Sequence, residues 1–533
     1  MIVQAGDQTS QMRTGRRGGT MLAAALLSLA RLNVMRRSLL LLAVGSIAIA
    51  PVRAETGPVD RRAVVARHDV VHRSAAPEHF LQVGNGEFAF AFDVTGLQTL
   101  DRSFERPIPL HTMSNWGWNS RPNSSSLKYE DSLTEYRVGD RVTTYADRQD
   151  SPAGEYFRAN PHRFNLARIG LWWDGQGQRD APLLEDFSQF DQSLDLWAGV
   201  ATSRFALRGQ SVTVTTVAHP ARDIVAFRLE SPAQASGALG VVLRFSSPLA
   251  AWGPAIDDFS RPDAHATSWR PDGPHGVTVE RRLDDASYIL RIHGGGGVEF
   301  TETAPHTLRV TWAERNAVDL TCEFLSPGSP HLRSSSAAFA EVISAAREHW
   351  RQFWTSGGAV DLGGVADARA REIERRVVLS QYLTAIHNGS LPPQESGFVC
   401  NSWFGKVHLE MHWWHAAHFA LWGRPEILAR SLGWYEQILP VAKDIARRQG
   451  YSGVRWPKMT GPAGISSPSG VGEFLLWQQP HLIYFAELLY RAEPSQKTLT
   501  QCAVLVESTA EFMADVVQWD HDGQTCHLGP PLI

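Results

Sequence analysis

Cysteine is scarce in this sequence of 533 residues. The four cysteines, Cys322, Cys400, Cys502 and Cys526, lie far apart, and no two of them form a CxxC pair. A disulfide-rich scaffold needs closely spaced cysteines and a zinc ribbon needs paired ligands, so both classes of protein are excluded. The sequence also lacks a run of about 20 apolar residues, which is the length that a membrane-spanning helix requires.

An excess of one charge is absent as well. The chain has 51 basic and 55 acidic residues, which gives a formal net charge of −4. Proteins that bind nucleic acid or anionic membranes usually carry a basic surface, so neither is expected as the main partner. Because 43% of the residues are hydrophobic and 20% are charged, the chain can bury a large core and is not disordered. Its length predicts roughly three domains, or two large ones.

The first 54 residues are typical of a targeting segment. Arg36 and Arg37 precede a short apolar run at 39–50, and small residues stand at the third and the last position before Glu55. This order of basic, apolar and small residues is the pattern of a secretory signal peptide. We therefore predict that residues 1–54 are removed, and that the mature protein is periplasmic or secreted and does not contact a membrane.

Short apolar stretches with alternating character recur between about residues 75 and 330. Turn residues separate them about every ten positions, and clear examples lie at 87–93, 211–217, 224–229 and 240–245. Alternation predicts strands with one buried face, and this regular spacing is typical of an antiparallel β-sandwich. We predict that residues 55–330 form such a domain.

The hydrophobic period becomes that of helices after residue 330. A first helix is predicted over 336–354, and a Gly-Gly break follows it. Further helices are predicted at 366–387, 408–422, 426–449, 473–491 and 496–519. Consecutive helices without intervening strands indicate a helical array. The predicted fold is therefore an α+β multidomain protein, with a linker helix in 331–364 and a helical domain over 365–533.

Part of the helical half has a composition that suits carbohydrate binding. Seven of the 18 tryptophans lie between Trp403 and Trp477. Sugars present hydroxyl edges and apolar C–H faces, so their sites combine aromatic rings with carboxylate, imidazole and amide groups. The residues that we predict to bind substrate are Trp403, His408, His412, Trp413, Trp414, Trp456, Lys458 and Gln478.

Two carboxylates near these residues are candidates for catalysis. Glu410 is flanked by Leu409 and Met411, and burying a carboxylate is costly unless it has a partner or a task. Glu395 lies in a loop with Pro and Gly, where it either lines the same site or is an ordinary loop residue. Cleaving a glycosidic bond with inversion requires an acid for the leaving oxygen, together with either a base that positions water or a phosphate nucleophile. Hydrolysis is slightly preferred, because no basic, Ser/Thr-rich phosphate loop is visible in the helical half.

Other interpretations of this segment stay open. The aromatic rings and histidines are also typical of a helical core, and a non-catalytic carbohydrate-binding protein would have the same composition. His408, His412 and His415 share one helix face, which would suit a metal-dependent hydrolase. The segment lacks an HExxH pattern, and Trp413 and Trp414 between the histidines suit stacking better. We therefore predict no metal and no other cofactor.

Two segments carry a resemblance to a known family. Residues 405–426 run from Gly-Lys-Val-His through Glu410 and an aromatic cluster to Arg-Pro-Glu, and residues 453–459 form an aromatic-proline stretch. Both resemble segments of the six-hairpin, (α/α)6-barrel glycosidases, most closely glycoside hydrolase family 65, which contains disaccharide phosphorylases and hydrolases. The resemblance spans most of residues 75–533 in architecture and about 60 residues in motif. The family's Trp-Asp pair is not reproduced, so substrate identity is not carried over.

The resemblance implies a carbohydrate-active enzyme that cleaves glycosidic bonds of an oligosaccharide by an inverting mechanism. It also implies a barrel of twelve helices and a general acid that follows a Gly-Pro pair. Only about five helices are predicted over 366–519, and Gly529-Pro530 is followed by Pro531 and Leu532. We therefore expect a partial (α/α)6 barrel at 365–533 that is incomplete at its C-terminus. We also expect a general acid that is replaced or lies beyond Ile533, and a truncated fragment without turnover.

Overall fold

Alternating burial along the strands explains the predicted sheet region. In Gln210–Ala218, Val212 and Val214 are buried, whereas the threonines between and beside them are half-buried. Successive side chains of a strand point to opposite faces, so each such strand contributes one row of apolar residues to a core. The computed structural model describes residues 58–104, 108–174, 181–235, 237–312, 315–520 and 522–529, and the side chains of 234 and 235 are not among them. The predicted signal segment therefore lies outside the described residues.

All the paired strands of the described residues run antiparallel. The largest sheet has the order β1 (Val70–His72), β10 (Phe187–Asp195), β11 (Val200–Leu207), β12 (Gln210–Ala218), β13 (Ile224–Glu230), β22 (Ala317–Leu325), β19 (Ser287–His293), β18 (Gly276–Arg282) and β17 (Ala266–Pro271). A second sheet has the order β20 (Val298–Ala304), β21 (Thr307–Trp312), β14 (Leu239–Arg244) and β9 (Arg168–Trp173). A third comprises β2 (Leu81–Gly84), β3 (Phe88–Phe92) and β4 (Thr112–Ser114).

Shorter strands pair in twos. These pairs are β5 (Trp118–Asn119) with β8 (His162–Arg163), β6 (Thr134–Val138) with β7 (Arg141–Tyr145), β15 (Ser247–Pro248) with β16 (Asp257–Asp258), β23 (Val407–His408) with β24 (Met459–Thr460), and β25 (Val517–Trp519) with β26 (Cys526–Leu528). The pair of β23 and β24 lies within the helical part of the chain, where it brings two distant segments together.

Strand β3 connects the main core to the loops of the helical half. Phe88, Phe90 and Phe92 are fully buried in the apolar core that the three larger sheets share. Ala89 and Ala91 point to the other face, where they pack with the loop residues Phe398 and Val399. The alternation of a large and a small residue therefore matches a deep core on one face and a close backbone approach on the other.

Helices dominate the chain after residue 338. The helices of the described residues are α1 (Arg61–Ala66), α2 (Pro152–Ala159), α3 (Pro232–Ala235), α4 (Phe339–Thr355), α5 (Ala368–Ala385), α6 (Leu409–Leu421), α7 (Pro425–Ala429), α8 (Leu432–Arg448), α9 (His481–Ala492) and α10 (Gln496–Asp515). None of these helices is both long enough and apolar enough to cross a membrane.

Helix α4 joins the sheets to the later helices. Phe339, Val342 and Ala346 pack on residues of the large sheet. Its last turns place Trp350 and Phe353 in the main core, which also contains residues of α5, α6 and α7. The helix therefore holds the strand-rich part and the helical part in one packed arrangement.

The predicted fold class is confirmed at the level of antiparallel sheets followed by helices. Three helix predictions differ from the structure in their bounds. The helix predicted over 496–519 ends at Asp515, and Val517–Trp519 forms strand β25. The helix predicted over 426–449 is divided into α7 and α8, and the helix predicted over 473–491 begins only at His481. Gln478 and Gln479 before it bond to the backbone of Trp456 instead, which is a contact that local periodicity does not encode. The domain boundaries and the completeness of the barrel stay predictions.

Candidate functional site

The short pair of β23 and β24 positions the two charged residues of the candidate site. His408 lies opposite Met459 in this pair, and Leu409 N donates a hydrogen bond of 2.8 Å to Lys458 O. Helix α6 begins at Leu409, so Glu410 lies in its first turn. This arrangement places Lys458 Nζ 2.9 Å from Glu410 Oε2.

The ion pair of Glu410 and Lys458 is largely buried. The Glu410 side chain is 14% exposed and the Lys458 side chain 13% exposed. Charges that are removed from water interact more strongly than exposed charges, and each depends more on its partner. The two groups together offer a hydrogen-bond acceptor and a donor to a polar ligand.

A neutral imidazole lies beside this pair. His408 is buried, and its Nε2 is 4.0 Å from Glu410 Oε2. Neither ring nitrogen of His408 has a hydrogen-bond partner among the described residues. Burial, with the positive charge of Lys458 and the nearby His415, lowers the pKa of His408 to about 3. The ring is therefore neutral at physiological pH and keeps one donor and one acceptor free.

Trp403 also contacts Lys458. Lys458 Nζ is 4.9 Å from the centre of the Trp403 ring, which is a cation–π distance. Trp403 and Phe404 both have positive φ, at 51° and 60°, although neither is glycine. Such backbone costs energy and persists only where surrounding contacts impose it. Here Trp403 N donates to Trp252 O at 2.8 Å and Phe404 N to Ala251 O at 3.2 Å.

The loop that carries Glu395 runs alongside the start of α6. His408 N donates to Pro393 O at 3.2 Å, and His415 Nε2 is 2.9 Å from Glu395 O. The Glu395 residue is half-buried. The structure therefore brings Glu410, Lys458, His408 and Trp403 into contact, with the loop of Glu395 beside them.

Three of the predicted binding residues lie in the helical core instead. His412 is buried, with Nδ1 2.9 Å from Tyr435 Oη and Nε2 3.2 Å from Ser431 Oγ. Trp456 is 1% exposed and donates its indole N–H to Thr509 Oγ1 at 2.8 Å. The polar atoms of both side chains therefore already have partners within the protein, and their contact with substrate stays a prediction.

Gln478 is the third such residue. It is buried, and its side-chain amide donates to Trp456 O at 3.1 Å and to Leu475 O at 2.9 Å. The amide therefore holds the backbone of the aromatic-proline stretch, and direct contact of Gln478 with substrate stays a prediction.

The adjacent tryptophans of α6 have different surroundings. Trp413 stacks on Tyr484 with ring centres 4.3 Å apart and contacts the helical core. Trp414 is 65% exposed. Residues four apart lie on the same helix face, so Trp414 follows Glu410 along one side of α6.

The three histidines do not converge on a shared point. Both ring nitrogens of His412 have partners, and one nitrogen of His415 is directed to Glu395 O. Among the described residues, no group of three or more His, Cys, Asp or Glu side chains is placed to hold a metal ion. The arrangement of these imidazoles fits packing and hydrogen bonding better than a common metal site.

Sequence reasoning missed the contribution of the strand-rich part. Trp252 packs on Trp403 with ring centres 3.6 Å apart, and Arg158 lies 4.6 Å from the centre of the Trp252 ring. Trp252 stands in the loop between β15 and β16, and an aromatic residue in a loop is the signal that would have identified it. Its approach to Trp403 depends on the tertiary fold.

A buried lysine was missed as well. Lys406 is 1% exposed, and its Nζ donates to Asn160 O at 2.9 Å. Burial lowers the pKa of Lys406 to about 7. Beside it, a Cβ on Gly405 would lie 2.5 Å from the Arg163 side chain, so this position requires glycine. Both contacts tie residues 405–406 to the strand-rich part.

Comparison with known proteins identifies the fold. No protein-family model matches the chain, and no curated protein matches it. A protein from the human microbiome that is provisionally described as a kojibiose phosphorylase has a similar structure, with a TM-score of 0.59 and 10% identity over 86% of this chain. The predicted resemblance to six-hairpin glycosidases is confirmed at the level of the fold.

Two further structures are more distant. A bacterial glucoamylase in complex with acarbose matches with a TM-score of 0.43 and 10% identity, over 82% of this chain and 62% of its own. A family 92 α-mannosidase from Bacteroides thetaiotaomicron matches with a TM-score of 0.24 and 10% identity, over 66% of this chain and 44% of its own. The chain spans 60% of the length of the phosphorylase-like structure.

Proposed function

We propose that the protein is a carbohydrate-active enzyme that binds an oligosaccharide at the start of α6 and cleaves a glycosidic bond. The observation that carries this proposal is the contact of Glu410 with Lys458, flanked by the neutral His408 and the ring of Trp403. Charged donors and acceptors next to an aromatic ring match the hydroxyl edges and C–H faces of a sugar.

The proposed roles follow from the charges. Lys458 donates to sugar hydroxyls, and Trp403 contacts an apolar sugar face. An ammonium 2.9 Å away offsets the negative charge of Glu410, which suits a group that accepts a hydrogen bond from water or from a hydroxyl. In an inverting reaction Glu410 would then orient the attacking water, and Glu395 is the candidate on this chain for the acid that protonates the leaving oxygen.

Phosphorolysis is a second form of this reaction, and the fold comparison gives a reason to test it. A phosphate would then replace water as the nucleophile and the product would be a sugar phosphate. The matched structure is provisionally described as a kojibiose phosphorylase, and this chain shares its fold at 10% identity. Substrate and nucleophile therefore need a direct measurement on this protein.

The test uses α- and β-linked glucose disaccharides, including kojibiose, and their longer oligosaccharides, each with and without phosphate. NMR of the released anomer reports the stereochemistry. Replacing the catalytic carboxylate should lower kcat by about 100- to 10,000-fold, because a positioned acid or base contributes that much. We therefore expect Glu410→Gln to lose turnover, while Glu426→Gln, at an exposed carboxylate in the first turn of α7, keeps it. Equal turnover of the two variants would contradict the role of Glu410.

Carbohydrate binding without cleavage is the second candidate function. Glu410 is held in an ion pair with Lys458 at 2.9 Å beside the neutral His408, and a carboxylate paired in this way can serve binding alone. Calorimetry with the same sugars separates the two functions. Binding that Lys458→Met weakens, with no product released over a long incubation, would favour this candidate over the enzyme.

Export is proposed from the signal-like pattern of residues 1–54. N-terminal sequencing of protein recovered from the outside or the periplasm of an expressing bacterium should begin at or near Glu55. A cytosolic protein that retains the apolar run at 39–50 would contradict this proposal.

A further inference from the structure

A shallow cavity of about 300 Å³, wide open to solvent, adjoins the contact between Trp252 and Trp403. Its lining combines two aromatic rings with polar side chains: Gln149, Asp150, Glu155, Arg158, Trp252 and Phe404. Small-molecule sites usually occupy about 300–1,000 Å³, so the volume is large enough for a small ligand. None of these residues belongs to the predicted binding set.

The polar groups of this cavity are partly unused. Arg158 Nη1 donates to Gln149 Oε1 at 2.5 Å, whereas the buried Arg158 Nε has no hydrogen-bond partner among the described residues. Asp150 and Glu155 are exposed at the rim, and Trp252 is 42% exposed. A guanidinium donor, carboxylate acceptors and an accessible indole together provide the groups that bind a pyranose.

Consecutive contacts connect this cavity to the proposed catalytic carboxylate. Trp252 lines the cavity and packs on Trp403, whose ring contacts Lys458 Nζ. Lys458 in turn contacts Glu410. One tryptophan ring and one lysine side chain therefore separate the cavity wall from Glu410.

Hydrogen bonds fix the backbone between the cavity and the contact of Trp403 with Lys458. Asn401 Nδ2 donates to Ala251 O at 3.1 Å and to Gly253 O at 2.6 Å, next to the bonds that impose the positive φ of Trp403 and Phe404. Strained backbone that its neighbours fix in place is characteristic of ligand-binding positions. The position of the cavity relative to Glu410 is thus set before a ligand arrives.

We propose that this cavity is a distal subsite, at which the strand-rich part binds a further sugar unit of an oligosaccharide whose other end lies at Glu410. This inference rests on the proposed function and deepens it. It predicts that the protein binds oligosaccharides of three or more units more tightly than disaccharides.

The test measures dissociation constants by calorimetry for α-linked gluco-oligosaccharides of two, three and four units. A contact with an aromatic ring contributes enough to predict that the longest sugar binds about 2- to 10-fold more tightly than the disaccharide. Trp252→Ala should remove this preference for length. Trp269→Ala, at a tryptophan of β17 with a similar exposure of 37%, should keep it.

A second variant covers the case in which Trp252→Ala disturbs the loop. The double variant Asp150→Asn/Glu155→Gln changes only exposed rim carboxylates and should reduce the same preference. Disaccharide binding without any preference for length, or a preference that both variants keep, would overturn the distal subsite and leave the proposed function standing. Wild-type protein that binds no sugar of any length would overturn both.

Discussion

The strand-rich region, residues 70–325, and the helical region, residues 339–515, differ in how completely they bury apolar side chains. Among the described residues of the strand-rich region, the most exposed large apolar side chain is that of Val71, at 45%. In the helical region Trp414 and Leu421 of α6 are 65% and 67% exposed, on the same side of the helix. Packed sheets cover each other, whereas this face of α6 is exposed to solvent.

Both regions contain buried polar atoms that have no hydrogen-bond partner among the described residues, including Arg168 Nη1 in the strand-rich region. In the strand-rich region Arg168 is ion-paired with Asp257 at 2.7 Å, and Asn165 donates to the same carboxylate. In the helical region both ring nitrogens of the buried His408 have no partner among the described residues. Buried polar groups are normally bonded, and His408 differs in this respect from the buried His111 of the strand-rich region, whose Nδ1 lies 2.9 Å from Val399 O.

The largest expected effect tests the strand-rich region as the stable scaffold. Phe90 is fully buried and meets Phe227 edge to face at 5.4 Å. Phe90→Ala removes a large core side chain and should lower the free energy of unfolding by about 3–5 kcal/mol in urea titrations. A loss below about 1 kcal/mol would mean that this core is not tightly packed.

A smaller effect is expected for the ion pair of the helical region. Lys458→Met leaves Glu410 buried without its counter-ion and should lower the free energy of unfolding by about 1–3 kcal/mol. The double variant Lys458→Met/Glu410→Gln should recover much of that loss. Arg351→Met, which breaks the exposed pair with Glu348 on α4, is the matched control and should change little. Equal losses of stability in Lys458→Met and Arg351→Met would show that the buried ion pair contributes no more than the exposed one.

One buried titratable group in each region should make the free energy of unfolding depend on pH, and the two groups should act in opposite directions. The folded-state pKa of His408 is lowered to about 3 from 6.5, so only the unfolded chain takes up this proton as the pH falls from 6.5 to 3, and stability is lost in that window. Burial raises the pKa of Asp223 to about 7 from 3.8, so the unfolded chain releases its proton first and stability is lost as the pH rises from 4 to 7.

Chemical denaturation across pH 3–8 measures these two contributions. Relative to the wild type, His408→Phe should gain stability as the pH falls, and Asp223→Asn should gain stability as the pH rises to 7. Parallel stability curves for the wild type and either variant would show that the group is not buried as described.

The smallest effect on stability is expected at the open face of α6. Trp414→Ala should change the free energy of unfolding by less than about 0.5 kcal/mol, because the side chain is largely in solvent. It should weaken sugar binding by about 0.5–1.5 kcal/mol if the ring contacts the ligand. A large loss of stability with unchanged affinity would instead make Trp414 a core residue.

Local patterns predicted the secondary structure well where one face of an element is buried. The alternation at 211–217 corresponds to β12, and the helix predicted over 336–354 corresponds to Phe339–Thr355. The helix predicted over 408–422 corresponds to Leu409–Leu421. In these segments the period of apolar residues follows directly from the geometry of the element, so sequence alone was sufficient.

The candidate site was predicted less completely. Composition identified Glu410, Lys458 and Trp403, which the structure brings together, but it could not separate them from His412 and Trp456. The latter two bond to Tyr435 and Thr509, which lie 23 and 53 residues away along the chain. A residue type shows which contacts are possible, and it does not show whether a distant partner already uses them.

The sequence by itself determined that strands precede helices and that aromatic and charged residues concentrate around the start of α6, because both properties are periodic or local. Only the tertiary structure decided which of those residues contact one another. The pairing of Val407–His408 with Met459–Thr460 sets Lys458 against Glu410, and the loop of Trp252 reaches Trp403 from the strand-rich region. These contacts join segments about 50 and 150 residues apart, and such contacts depend on how the whole chain packs rather than on the preferences of any one segment.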